Sequence, residues 1–270
     1  MLELLAQGVY AWLQTPPRHG AANAGVVIDP DGITVIDTLM VPSQSAPLAA
    51  AVAELGLPVR RVVLSTSHIE FVGGTPSFPA AAVYGTRETS ALLDQPPRPD
   101  VFRKLLPEFA AELDDELTTR PVTHVVDTAA PFTPATVAVP IDGEAHENLV
   151  VLVPEAGVLF AGAICSFGVT PLAFGGDPAG WADSLDEVAE LAPVIVPGHG
   201  PIGGQEEVRA QQGYLRACVA AAGDPGALVP GPWDAWPGRE WDAVNVERAA
   251  LLARGEDRIP SSLLRKVGLA

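Results

Sequence analysis

The sequence predicts a layered α/β domain. Three observations carry that reading. β-branched, strand-like runs bounded by Gly, Pro and Asp open the chain and return after residue 121. Each β-rich stretch gives way to helical patterns, a succession that layers helices on sheets. A composition of 48% hydrophobic and 18% charged residues belongs to a packed globule rather than a disordered chain.

The elements follow in order. Leu5 to Leu13 reads as a strand, and Asn23–Asp29 and Ile33–Asp37 flank the turn tripeptide Pro30-Asp31-Gly32, giving an antiparallel meander. Ser43 is placed to cap a helix running through Leu55, which Gly56 and Pro58 end. Val59–Ser65 is the next strand, and the loop Thr66–Gly74 after it is where chemistry is expected. Tyr84 sits in a short strand, Thr86 caps a helix through Leu93, and Asp100–Glu116 is an amphipathic helix interrupted by Pro107.

From Val122 to Gly162 the pattern is again strand-like, with Val137–Ile141, Asn148–Val153 and Val158–Gly162 the clearest runs. Trp181–Leu191 reads as a helix, Val194–Val196 as a strand and Glu206–Ala222 as a helix stopped by Gly223. A loop from Asp224 to Gly238 precedes a helix at Val244–Ala253, and Pro260–Ala270 reads as a final short helix. No repeat, low-complexity tract or Gly/Ser linker divides residues 1–270, so a single domain is expected, with a helical extension from about residue 204.

Asp and Glu outnumber Lys and Arg by 33 to 16, a net charge of −17 that repels phosphate backbones and anionic lipid. Nucleic acid and membrane partners are therefore not expected, and no apolar run approaches the roughly 20 residues of a spanning helix. Met1-Leu2-Glu3-Leu4-Leu5 lacks the basic start of a secretory signal, which points to the cytoplasm. The oligomeric state stays open, a homodimer included. Cys165 and Cys218 are too few for a disulfide framework or a thiolate zinc site.

Five histidines, His19, His68, His124, His146 and His199, carry most of the available chemistry. His68 lies in Ser65-Thr66-Ser67-His68-Ile69-Glu70-Phe71-Val72-Gly73-Gly74, directly after a strand. His146 lies in Gly143-Glu144-Ala145-His146-Glu147-Asn148, just before one, and His199 sits in Pro197-Gly198-His199-Gly200-Pro201, where glycines permit a sharp turn. His19 belongs to a Pro-rich loop between early strands, and His124 to an alternating strand with no ligand-like neighbour, a structural position.

These landmarks resemble the metallo-β-lactamase superfamily, whose loop signature reads Thr-His-x-His-x-Asp-His-x-Gly-Gly and whose later marks include a His before a strand and Pro-Gly-His-Gly-Pro. Asn23–Asp29, Val35-Ile36-Asp37-Thr38 and Leu159-Phe160-Ala161-Gly162 fall in the same order, so the resemblance spans roughly Val9 to Pro201. It implies a four-layer αβ/βα sandwich with a metal cleft at one edge, with Asp37 supporting the loop from behind the ligands, and it places the His19 loop over the cleft.

The departures define the expected chemistry. Aligned on Gly73-Gly74, Thr66 and Phe71 stand where the family has histidines, Glu70 stands at the Asp, and Ala163 replaces the bridging Asp. His68 and His146 survive for one metal, Glu70 and His199 for the other, so neither site keeps three protein ligands. The resemblance thus implies a degenerate centre that is either metal-free, with no cofactor, or mononuclear, with His68, His146 and His199 holding one zinc or iron ion.

The expected function is acid/base chemistry on a small apolar carbonyl or acyl substrate: elimination, cyclisation, isomerisation or acyl hydrolysis. His68, Glu70, His146 and His199 are the candidate catalytic residues. Thr66, Ser67, Phe71, His19 and Cys165 are the candidate substrate-binding ones. Trp233, Trp236 and Trp241 are expected to cover the core, or to close over an apolar substrate. The Ala- and Pro-rich composition suggests a bacterial source and specialised metabolism. A non-catalytic ligand-binding protein and a single-metal ester, thioester or lactone hydrolase are the alternatives.

Overall fold

The computed structural model describes residues 1–95 and 97–269. The chain opens with a hairpin, β1 (Leu2–Ala6) and β2 (Val9–Trp12), where the sequence reads as one strand; Gly8 turns between them at φ +74°. β3 (Ala24–Asp29) and β4 (Gly32–Ile36) continue the antiparallel meander, and β5 (Val59–Val63), β6 (Ala82–Gly85) and β7 (His124–Val125) add parallel strands at its far side. The second sheet holds β8 (Ala130–Pro131), β9 (Val137–Ile141), β10 (Asn148–Val153), β11 (Val158–Ser166) and β12 (Val194–His199) in reverse sequence order. β12 is an edge strand, which lets Pro197 sit in it without losing a ladder bond.

Helices cover both outer faces. On the first sheet lie α1 (Pro42–Ala53), α2 (Ile69–Val72), α3 (Arg87–Leu93) and α4 (Pro99–Leu105). The second sheet carries α5 (Pro178–Leu191) and α6 (Gln205–Ala220), followed by α7 (Asp242–Ala253) and α8 (Ser261–Lys266). Ala270, the end of the expected last helix, lies outside the described residues. Among those residues no helix is long and apolar enough to cross a membrane.

Period-two alternation builds the layers. Val27, Ile36 and Val63 of the first sheet face Leu149, Val151 and Phe160 of the second in the central core. Their neighbours Val26, Val35 and Val62 face outward with Leu48 and Val52 of α1. On the other side Val150, Leu159 and Ala161 pack with Trp181 and Leu185 of α5 and Leu215 of α6. The order is helix, sheet, sheet, helix, the sandwich expected from the resemblance.

Local chemistry moves some boundaries. Thr86 does cap α3, its hydroxyl accepting from Thr89 N at 3.1 Å. Ser43 does not cap α1: the helix starts a residue earlier at Pro42, whose fixed φ suits a first turn, and Ser43 donates from N and Oγ to Glu112 instead. The expected helix to Glu116 stops at Leu105, because Pro107 cannot continue it and forms a 3-10 turn. Trp233 and Trp236 cover the second outer core, and Trp241 packs with Val244 and Leu263.

Candidate active site

The site lies where strand ends of both sheets meet. Gly73 and Gly74 bring the loop after β5 against the segment after β4. A Cβ on either would stand 2.0 Å from the Met40 or Thr38 carbonyl oxygen, so only glycine fits. The loop is also tied through the Phe71 carbonyl, which accepts from Thr38 N at 2.7 Å and Thr38 Oγ1 at 3.0 Å. From this loop His68, Glu70 and Phe71 face a narrow cleft of about 40 Å³.

The opposite wall comes from β11 and β12. Gly162 adopts φ +50° and the register with β12 shifts around it, a bulge that re-aims the end of β11. Gln211 of α6 fixes that end, accepting from Ser166 N at 2.8 Å and donating to the Ile164 carbonyl at 3.0 Å. Ser166 and Ala163 line the cleft. Cys165 does not: it is fully buried in the core beneath α5 and α6, where desolvation pushes its thiol well above the usual range. The adjoining Ser166 takes the cleft position expected of it.

His68 Nδ1 lies 2.9 Å from Glu144 Oε1, and the imidazole stacks on Phe174 with ring centroids 5.4 Å apart. Burial opposes a charge on this ring, but the carboxylates of Glu144, Glu70 and Glu88 outweigh it and raise its pKa to about 9. The Glu144 carboxylate thus favours the imidazolium form of His68.

His199 is the counterpart. Its Nδ1 stands 3.3 Å from the Ala21 carbonyl, so in the neutral ring Nδ1 donates and Nε2 keeps a lone pair. Burial lowers its pKa against the pull of Glu70 and Glu144. Asn23 fixes the turn around it by donating from Nδ2 to the Pro197 and Gly200 carbonyls at 2.9 and 2.8 Å. Phe71 meets the His199 ring edge-on at 5.4 Å.

His19 reaches the same cleft, its ring 6.0 Å from that of His199 and 5.4 Å from Trp241. Burial, then the neighbouring His199, lower its pKa to about 3, and its buried Nε2 has no partner among the described residues.

His146 does not join this group. It is exposed in the turn before β10, and Glu144 faces the cleft in its place. Asn148 sets that turn, accepting from Ala145 N at 3.0 Å while its Nδ2 stands 3.5 Å from Glu144 Oε2. Spacing alone does not separate Glu144 from Glu147; the turn anchored by Asn148 decides which of them faces inward. Thr66 is buried, its Oγ1 has no partner among the described residues, and it lies outside the cleft lining. Ser67 opens with His68 onto a second, apolar cavity.

That cavity is the larger, about 530 Å³. Its walls come from Val101, Phe102 and Leu105 of α4 and Leu263, Leu264 and Val267 around α8, and His68 and Phe174 belong to both cavities. The C-terminal helix, expected from the sequence as an extension, thus supplies apolar surface beside the reactive groups.

Among the described residues no group of three or more His, Cys, Asp and Glu side chains is arranged to hold a metal ion. Of the three imidazoles expected to share one ion, His146 faces solvent, so His68 and His199 stand in the cleft without it. The set His68, His146 and His199 is therefore not assembled as a three-ligand site among the described residues.

The family model of the metallo-beta-lactamase superfamily matches residues 17–199. Among solved structures the chain is similar to the metallo-beta-lactamase FIM-1 from Pseudomonas aeruginosa in its mono-zinc form, at TM-score 0.62 and 20% identity, over 80% of this chain and 94% of that one. It is similar also to metallo-beta-lactamases from Hirschia baltica, at 0.59 and 17% over 80% and 96%, and from Pontibacter korlensis, at 0.60 and 20% over 80% and 98%. At such identities the likeness is one of fold.

Proposed function

Since the chain belongs to the metallo-beta-lactamase superfamily yet leaves His146 in solvent and Phe71 and Ala163 at ligand positions of that family, we propose that it is an acid/base enzyme moving a proton next to a carbonyl. The substrate is a carbonyl or acyl compound with an apolar chain. The observation that carries the reading is the contrasting partners of two histidines in one cleft, the Glu144 carboxylate on His68 Nδ1 and the Ala21 carbonyl on His199 Nδ1, which favour a charged and a neutral ring respectively.

In this reading the His68 imidazolium donates a hydrogen bond from Nε2 to the substrate carbonyl oxygen, while Glu144 on Nδ1 holds the ring in place. His199 Nε2 or the Glu70 carboxylate takes the proton from the adjoining carbon. Delivery of that proton elsewhere gives isomerisation, and loss of a neighbouring group gives elimination. Attack of the resulting carbanion on a second carbonyl gives cyclisation. The 530 Å³ cavity holds the apolar chain, and the 40 Å³ cleft admits only the reacting group.

The test is deuterium exchange at the carbon beside the carbonyl, followed by NMR in heavy water with ketones and thioesters of increasing chain length. His68→Gln and His199→Gln are each expected to slow exchange about 100-fold or more, with wild-type exchange insensitive to a chelator. Undiminished exchange in both variants would overturn the assignment. Binding without exchange would favour a ligand-binding protein, and chelator-sensitive hydrolysis a single-metal hydrolase.

A further inference from the structure

The chain has only two lysines, Lys104 in α4 and Lys266 in α8. Both line one cavity of about 390 Å³, together with Arg18. In a protein of net charge −17 this convergence of cations from three distant segments is unusual. None of the three takes part in an ion pair or side-chain hydrogen bond among the described residues. Two rest on aromatic rings instead, Lys266 Nζ 4.6 Å from the Trp241 centroid and Arg18 Cζ 5.4 Å from that of Phe109.

The wall also carries a donor without an acceptor. Trp241 lines the cavity, and its buried Nε1 has no partner among the described residues. His19 lines both this cavity and the catalytic cleft, and Leu105 is shared with the apolar cavity. Glu108 and Glu240 line the same space and offset two of the three charges, which keeps the expected affinity modest.

We propose that this cavity is an anion subsite holding a carboxylate or phosphate group carried by the substrate. That the anion belongs to the substrate rests on the function proposed above; the binding of an anion here does not. The substrate class becomes an amphipathic one, its apolar chain beside α8, its carbonyl at His68 and its anionic group at Lys104, Lys266 and Arg18.

The five tryptophan indole N–H groups provide the readout, followed by NMR on nitrogen-15-labelled full chain, with Trp241→Phe assigning the signal of Trp241. Inorganic phosphate and acetate are titrated separately at constant ionic strength set with chloride. The expected result is a saturable shift of the Trp241 signal with at least one anion, while the four other indoles stay put, and whichever anion saturates at lower concentration identifies the group. In the Lys104→Gln/Lys266→Gln double variant the dissociation constant should rise about tenfold, equivalent to roughly 1.4 kcal/mol. Because both lysines are exposed, the variant is expected to keep the wild-type melting midpoint. No saturable shift with either anion, or the same titration in the double variant, would overturn the subsite. Absence of carbon-bound deuterium exchange would instead overturn the proposed chemistry and leave this titration unchanged.

Discussion

The Asp37 carboxylate accepts the backbone N–H of Ser65 at 2.8 Å from a position fully inside the protein, where its own backbone is left-handed at φ +57°. This contact joins the end of β4 to the base of the His68 loop. Desolvation raises the Asp37 pKa to about 7, hydrogen bonds from the Ser65 backbone and hydroxyl oppose the rise, and the charge of Glu70 adds to it.

A group whose carboxyl is raised on folding stabilises the protein below its unfolded value of 3.8 and loses that contribution as pH climbs through about 7. Asp37→Asn removes the ionisation, keeps an acceptor for Ser65 N and tolerates the left-handed backbone. The variant is expected to melt higher than wild type at pH 8, by a difference on the order of 2 kcal/mol, and to show no advantage at pH 4. Thermal melts at both values check this; an equal advantage at both would contradict it.

Gly162 makes the bulge that aims the end of β11 at the cleft, and a Cβ there would stand 2.2 Å from Ser65 Cβ. Gly162→Ala must therefore displace the Ser65 backbone as well as adopt a left-handed φ. The expected loss is about 3 kcal/mol or more, which lowers the melting midpoint by roughly 6–12 °C for a chain of this size. A circular-dichroism melt measures it.

The apolar cavity predicts a chain-length series. Each added methylene that enters it should tighten binding of a neutral methyl ketone by about 0.8 kcal/mol, near fourfold, until the cavity is full. Calorimetric titration with 2-hexanone, 2-octanone and 2-decanone reads the slope. Leu264→Trp fills the space beside α8 and should abolish it; a flat series in the wild type would remove the cavity from the binding site.

Much of this was legible in the sequence, and the exceptions have physical causes. Alternating apolar residues such as Val26, Val35 and Val62 announced the strands, and Gly73-Gly74 and Pro197-Gly198-His199-Gly200 marked backbone that must approach closely or turn. His19, His68, Glu70, Phe71 and His199 do converge on one cleft. Glu144 and Ser166 were missed because which side chain of a turn faces inward depends on its anchors, here Asn148 and Gln211, which lie outside the local pattern. The apolar cavity was hidden for a different reason. α4 and α8 are separated by more than 150 residues, and neither shows alone what they enclose together.

Whether His68 works as an imidazolium held by Glu144 is read by NMR titration of its ring in chelator-treated protein and again after one equivalent of zinc. The expected midpoint is near pH 9, with a fall toward the ordinary value in Glu144→Gln and the same curve with zinc present. A midpoint at or below 6.5, or a ring that stops titrating when zinc is added, would contradict that role.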